Sequence, residues 1–316
     1  MTPAPRPLPA PPPCDTHLGF PRPIYEAACL IACEPERPAS PDEWLEVSMP
    51  PCRMLLQPVA NRHGTWAASA VVVASRPEGG SLWHHLLLDA NLKLMQHGCI
   101  SFGLDAHDRI ALNGQLFAGL QGDPLRAARQ LQRLYDVWRS ARAALEAIAH
   151  SPLSYVDLAS IADPASIGHA DADAEVSDGP AACLLDNLLE LGFDAQRACE
   201  IAAAGRVHIN GTDICFEAGA SGRTLLLHIG LGHGLLDGTG ESALRMSAQL
   251  MTAHGIAVGR CERGHRLVAH WPCGERPGFV FDACLATLAD LPQVLVGDMT
   301  LRDWTDTDLN ALLPQL

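Results

Sequence analysis

Hydrophobic and polar positions change their spacing several times along this chain, and each change marks an element. From Leu87, "LLDANLKLMQ" carries its apolar residues at helical spacing, meets "HG", and then alternates as a strand in "CISFGL". "DAHD" is a polar turn and "RIALNGQL" a second strand, so a hairpin is expected around Asp105 to Asp108. Ser81 can cap the preceding helix, which runs to about Gln96, where Gly98 stops it. "TWAASAVVVAS", from Thr65 to Ser75, predicts a strand with "RPEGG" as its turn. After the hairpin, Asp123 is the cap and Pro124 the first turn of a long helix. Its apolar stripe is Leu125, Ala128, Leu131, Leu134, Val137 and Trp138. Near the start, Ile24 to Glu34 predicts a short helix ended by Pro35 and Pro38. "PDEWLEVSMPPCRMLLQPVA" predicts strand-like fragments broken by prolines.

The second half restarts the pattern. "PAACLLDNLLELGFDAQRACEIAAAG" is one helix or two short ones. "RVHINGTDICFEAGASGRTLLLHIGLG" reads as three strands with turns at Asn210-Gly211 and Ala220 to Gly222. "TGESALRMSAQLMTAHG" is a helix capped by Thr239, "IAVGRC" and "HRLVAHW" form a hairpin around Glu262 to Gly264, and "PGFVFDACLATLADL" is a closing helix. An offset of 157 residues lays His97-Gly98 over His254-Gly255, Arg109-Ile110 over Arg266-Leu267, and "AASAVVV" over "TLLLHIG". The letters match sparsely and the order of elements matches well, which points to an internal duplication. The expected organisation is a Pro-rich tail over 1–23, a first domain over 24–150, an acidic linker over 151–180, a second domain over 181–299, and a tail or short helix over 300–316.

Composition narrows the possible tasks. With 316 residues and 48% hydrophobic content, the chain can build a real core. Its 22 Lys plus Arg against 36 Asp plus Glu give a net charge of −14, which repels phosphate backbones and argues against a nucleic-acid partner. The opening residues lack the apolar segment of a secretory signal, and no run is long enough to span a bilayer, so no membrane partner is expected. The 11 cysteines form no CxxC pair, as in a cytoplasmic protein that uses Cys as a small hydrophobe.

Candidate chemistry is sparse. "HIGLGHGLLDGTG", His228 to Gly240, is Gly-rich but spaces Gly230, Gly232 and Gly234 unlike a dinucleotide fingerprint, and no P-loop Lys follows. His84-His85, His228 with His233, and His265 with His270 lack ligand spacing with Cys or carboxylate, and Cys29 with Cys33 reads as core. There is no GxSxG or HExxH, and Asp105 and Asp108 fit turn chemistry. No catalytic residue, metal or cofactor is expected, and the chain is not read as an enzyme.

"LLDANL", then "HGCISFGLDAHDRIALNGQL", then "LRAARQLQRLYDVW" resembles the class I type III secretion chaperones, the Tir-chaperone or CesT-like family. Leu88, Ala90, Asn91, Leu92, Gly103, Leu104, Asp105, Arg109 and Leu112 stand at the matching positions, over roughly residues 65–140; over 181–291 the element order fits but the letters are lost. The resemblance implies an α+β fold: two tandem chaperone-like domains, each a twisted antiparallel sheet with about three helices in the order α-β-β-β-α-β-β-α. It implies a cytoplasmic, non-enzymatic task, which is to bind the N-terminal region of a secreted effector and keep it secretion-competent. The family forms small acidic homodimers, so a double-length chain is expected to be a monomer whose halves make an intramolecular pseudo-dimer. The alternative task is that of a scaffold or regulator binding a component of the secretion apparatus.

Binding an extended peptide needs a sheet edge or apolar grooves. Leu184, Leu188, Leu191 and Phe193 could supply the helix side of such a groove, and Ile209, Ile214 and Phe216 the strand side; their spacing equally fits plain core. By analogy with the family's dimer interface, Ile100, Phe102, Leu104, Ile256 and Val258 are candidates for contact between the repeats, with core inside one repeat as the other reading.

Overall fold

Two-residue turns and one-sided strands build the outer part of each half. The computed structural model describes residues 22–31, 45–59, 65–73, 81–117, 123–150, 179–220, 222–231, 240–273 and 278–298. The expected C-terminal tail, the expected N-terminal tail apart from Arg22 and Pro23, which open α1 rather than belonging to a tail, nearly all of the linker, Thr239, His233 and Cys33 lie outside these. The first half runs α1 (Arg22–Leu30), β1 (Leu45–Met49), β2 (Cys52–Pro58), β3 (Thr65–Val73), α2 (Ser81–His97), β4 (Ile100–Leu104), β5 (Ile110–Phe117) and α3 (Pro124–His150). The second runs α4 (Pro180–Glu190), α5 (Ala195–Ala204), β6 (Arg206–Ile209), β7 (Thr212–Ala218), β8 (Thr224–Gly230), α6 (Glu241–His254), β9 (Ile256–Cys261), β10 (Gly264–Pro272) and α7 (Gly278–Asp298).

The fold is α+β with two antiparallel five-stranded sheets, in the orders β1-β2-β3-β5-β4 and β6-β7-β8-β10-β9. The same strand order in both halves matches the repeated element order read from the sequence. Asn210 (φ 48°) and Gly211 (φ 82°) close the β6–β7 hairpin, where Ile209 pairs with Thr212. Both positions need positive φ, which Asn and Gly adopt most readily. The Pro-rich fragments of the first half are a regular hairpin rather than broken pieces. Leu45 to Met49 pairs with Leu56 to Cys52 without interruption, because Pro50 and Pro51 fall in the turn, where no ladder donor is needed.

Burial changes across each sheet. In β1 and β2 buried residues alternate with more exposed ones, so Leu45, Val47, Met49, Cys52, Met54 and Leu56 face the core. All of β4 and nearly all of β5 are buried on both faces, as is most of β9. One face of these strands packs on the core of its own half, and the other meets the opposite half.

The helices follow their apolar stripes. On α3, Ala127, Leu131, Leu134, Val137, Trp138, Ala141 and Leu145 are buried, and Trp138 Nε1 donates to Val71 O of β3 at 2.8 Å. Asp123 caps α3 by accepting from Leu125 N at 2.9 Å, as its place in the sequence predicts, whereas Leu125 itself is exposed. The opening of the second half is two helices, with Asp194 accepting from Arg197 N to start α5. Gly240, not Thr239, holds the N-cap position of α6. α7 continues past Pro292 because Leu295 extends the buried stripe of Leu288 and Leu291.

Candidate functional site

The letters that carry the family resemblance converge on the junction between the halves. α2 packs on β9 of the other half, α6 packs on β4, and the two helices touch each other. Asn91 of "LLDANL" lies at the centre and is fully buried. Its Oδ1 accepts from Phe102 N at 2.6 Å, and its Nδ2 donates to Phe102 O at 3.0 Å. The same Nδ2 reaches Val258 O of β9 at 2.9 Å. One side chain therefore holds its own hairpin strand and bonds the edge strand of the opposite half. A sheet edge needs such cover, because its unpaired peptide groups are costly when buried.

The second half answers with a smaller residue. Ser247 of α6, fully buried, accepts from Val258 N at 3.2 Å and contacts Ser101 Oγ of β4 at 3.4 Å. Asn91 and Ser247 stand 156 residues apart and approach to 3.3 Å. The equivalence thus runs at 156 through this region. The His-Gly letters align at 157 because two residues separate Met251 from His254 where one separates Met95 from His97, and Cys99, with no counterpart between Gly255 and Ile256, returns the strands to 156.

Glycines let the elements come this close. A Cβ on Gly103 would lie 2.8 Å from the backbone N and Cα of Ala248 on α6. A Cβ on Gly259 would run into the side chain of Leu92 on α2. Gly103 with Ala248 and Gly259 with Leu92 are the same contact made twice, once from each half. A second layer joins Met95 and Cys99 to Leu226, Met251, Ala257 and Val268. His270 Nδ1 lies 2.9 Å from Met95 O, and Gln115 Nε2 donates to Thr252 O at 3.3 Å.

Two ion pairs flank the centre. Arg260 of β9 binds Asp89 of α2 in a fork, with Nε to Oδ1 at 2.8 Å and Nη2 to Oδ2 at 2.7 Å. The hydrogen-bonded carboxylate raises the Arg260 guanidinium above its ordinary pKa. Arg245 of α6 binds Asp108 of the β4–β5 turn, and Glu241 of its own helix at 2.9 Å. Asp105 orders that turn as its sequence place predicts: Oδ1 accepts from His107 N and Arg109 N, each at 2.9 Å, and Oδ2 pairs with Arg109 Nε at 2.7 Å.

The sequence candidates fall as follows. Ile100, Phe102, Leu104, Ile256 and Val258 are all buried on β4 and β9, the two strands at the junction. The strand positions seen in contact across the junction lie between them: Ser101 with Ser247, Gly103 under Ala248 and Gly259 under Leu92. Leu184, Leu188, Ile214 and Phe216 are buried in the core, where Phe216 stacks on Phe281 of α7 at 6.4 Å. Leu191, Phe193 and Ile209 are half-buried at its margin, and Leu189 of α4 is exposed. Asn91 stands in the sequence reading only as a letter of the family resemblance, and neither it nor Ser247 is among the binding or interface candidates; a lone Asn inside an apolar helical run is the signal that marks the first.

Elsewhere the ionisable groups are dispersed. His228 of β8 stands 2.9 Å from Glu217, and burial, outweighing that carboxylate, lowers its pKa. The Cys273 thiol is pushed up by its hydrogen bond with Cys183 and by burial. Among the described residues no group of three or more His, Cys, Asp or Glu is placed to hold a metal, and no helix is long and apolar enough to cross a membrane. No family model, curated protein or solved structure matches the chain.

Proposed function

We propose that this chain is a cytoplasmic type III secretion chaperone that binds the N-terminal segment of an effector and keeps it secretion-competent. Its two halves act as an intramolecular pseudo-dimer, so one chain does what two subunits do in the family it resembles. The observation that carries this reading is the use made of the family-like letters. Asn91, Leu92, Gly103, Asp105 and Arg109 join the halves or shape the hairpin that joins them. A motif spent on pairing two α/β units is a motif of an assembly, not of a reaction centre.

The margin of α4, α5 and β6 is the face proposed for the effector. Leu189 is exposed there, and Leu191, Phe193 and Ile209 are half-buried, so an extended apolar segment can cover them. The net charge of −14 keeps a protein with such a face in solution. The task calls for no cofactor or metal, because it is to hold a chain without folding it.

Capture by the purified full chain tests this. A tagged chain co-expressed with candidate secreted proteins encoded near it should retain one of them, and limited proteolysis should trim the bound partner to an extended N-terminal segment. A folded domain retained instead would favour a scaffold that binds the secretion apparatus. Retention of no secreted protein would overturn the chaperone reading.

A further inference from the structure

The flanking ion pairs and the central contacts share a property that pairing alone does not require. At 156-residue spacing, Asp89 on α2 corresponds to Arg245 on α6, Asn91 to Ser247, and Leu92 to Ala248. Each correspondence inverts charge or size. Asp89 meets Arg260 of the other half, and Arg245 meets Asp108. The larger Asn91 spans to Val258 while the smaller Ser247 lies against it. Leu92 fills the space over Gly259, while Ala248 brings its backbone against Gly103.

We infer that the junction is heterotypic: the α2 face fits the α6 face and excludes a second copy of itself, and the α6 face does likewise. Two first halves brought together in the same geometry would set Asp89 beside Asp108, carboxylate on carboxylate. Two second halves would set Arg245 beside Arg260, guanidinium on guanidinium. Like charges at such positions oppose association, and specificity commonly comes from such built-in repulsion. Size acts in the same direction. Paired Asn91 side chains would crowd the centre, and paired Ser247 side chains would leave a gap and a peptide group without its Asn donor. The inversion selects pairing of a first half with a second half and disfavours chains joined through like halves. This rests on the paired halves proposed above and not on the chaperone task.

Two double variants of the full chain test it. Asp89→Arg with Arg260→Asp keeps attraction at both pairs. Asp89→Arg with Arg245→Asp sets Arg beside Arg260 and Asp beside Asp108; both variants make like-half pairing attractive, and only this one makes pairing within the chain repulsive. Both have the same composition and net charge. The first is expected to unfold in urea near the wild-type midpoint and to scatter light as one chain. The second is expected to unfold at a lower midpoint, with a mass that rises above 33.7 kDa as concentration increases. The difference in midpoint should shrink in 1 M salt, at roughly a 3 Å screening length. Equal midpoints and equal masses for the two variants would overturn the inference. A wild-type chain at twice 33.7 kDa would instead overturn the one-chain arrangement, and the two midpoints would still read the charge inversion.

Discussion

At the scale of a residue, Asn91 carries more than any other side chain at the junction. It is buried and bonded at both amide atoms, to Phe102 in its own half and Val258 in the other. Truncation strands a peptide N–H and two carbonyls in an apolar setting, and each buried orphan costs about 1–3 kcal/mol. Asn91→Ala should therefore lower stability by about 3 kcal/mol in urea unfolding, well beyond a surface substitution such as Lys93→Ala. An unchanged midpoint would show that the Asn bonds do not hold the junction. The sequence made some residue roles plain and hid others. Asp105 and the Asn210-Gly211 turn were readable because their chemistry is local: a carboxylate bonding its own loop, and positive φ at two adjacent positions. The partners of Asn91 were not readable, because Val258 lies 167 residues away and no local pattern names it.

At the scale of an element, β4 and β9 are each interrupted by a glycine that a strand would ordinarily avoid. Gly inside a strand often marks a close backbone approach, and that sign was present in "ISFGL" and "IAVGRC". The two glycines are not equal. At Gly103 the obstacle to a side chain is the backbone of Ala248, which cannot move without shifting α6. At Gly259 it is the Leu92 side chain, which can change rotamer. Gly103→Ala should cost about 2–3 kcal/mol and Gly259→Ala about 1 kcal/mol, within the range for overpacked cores. Urea midpoints read the order directly, and a greater loss at Gly259 would contradict the backbone-contact explanation. Helices and hairpins with strong period were legible, α2 to within a residue of its end. The β1–β2 hairpin was not, since prolines weigh against a strand until it is known that they occupy the turn. The end of α7 was missed for the complementary reason: Pro292 signals a stop, and the buried Leu295 overrides it.

At the scale of the whole molecule, the same strand order recurs in both halves, and α2 contacts β9 as α6 contacts β4. The repeated order of elements was legible in the sequence, while the equivalence of positions was not. The His-Gly letters suggested 157, and the contacts run at 156, because α6 carries one more residue before its His-Gly and Cys99 restores the count after the first. Strands buried on both faces follow from the same packing, since each serves its own core and the partner half. If the halves satisfy one another within a chain, the surface that would otherwise drive dimerisation is already covered. Light scattering of the purified full chain across a wide concentration range tests this most directly. A constant mass near 33.7 kDa is the expected result, and a mass of twice that value, held on dilution, would contradict it.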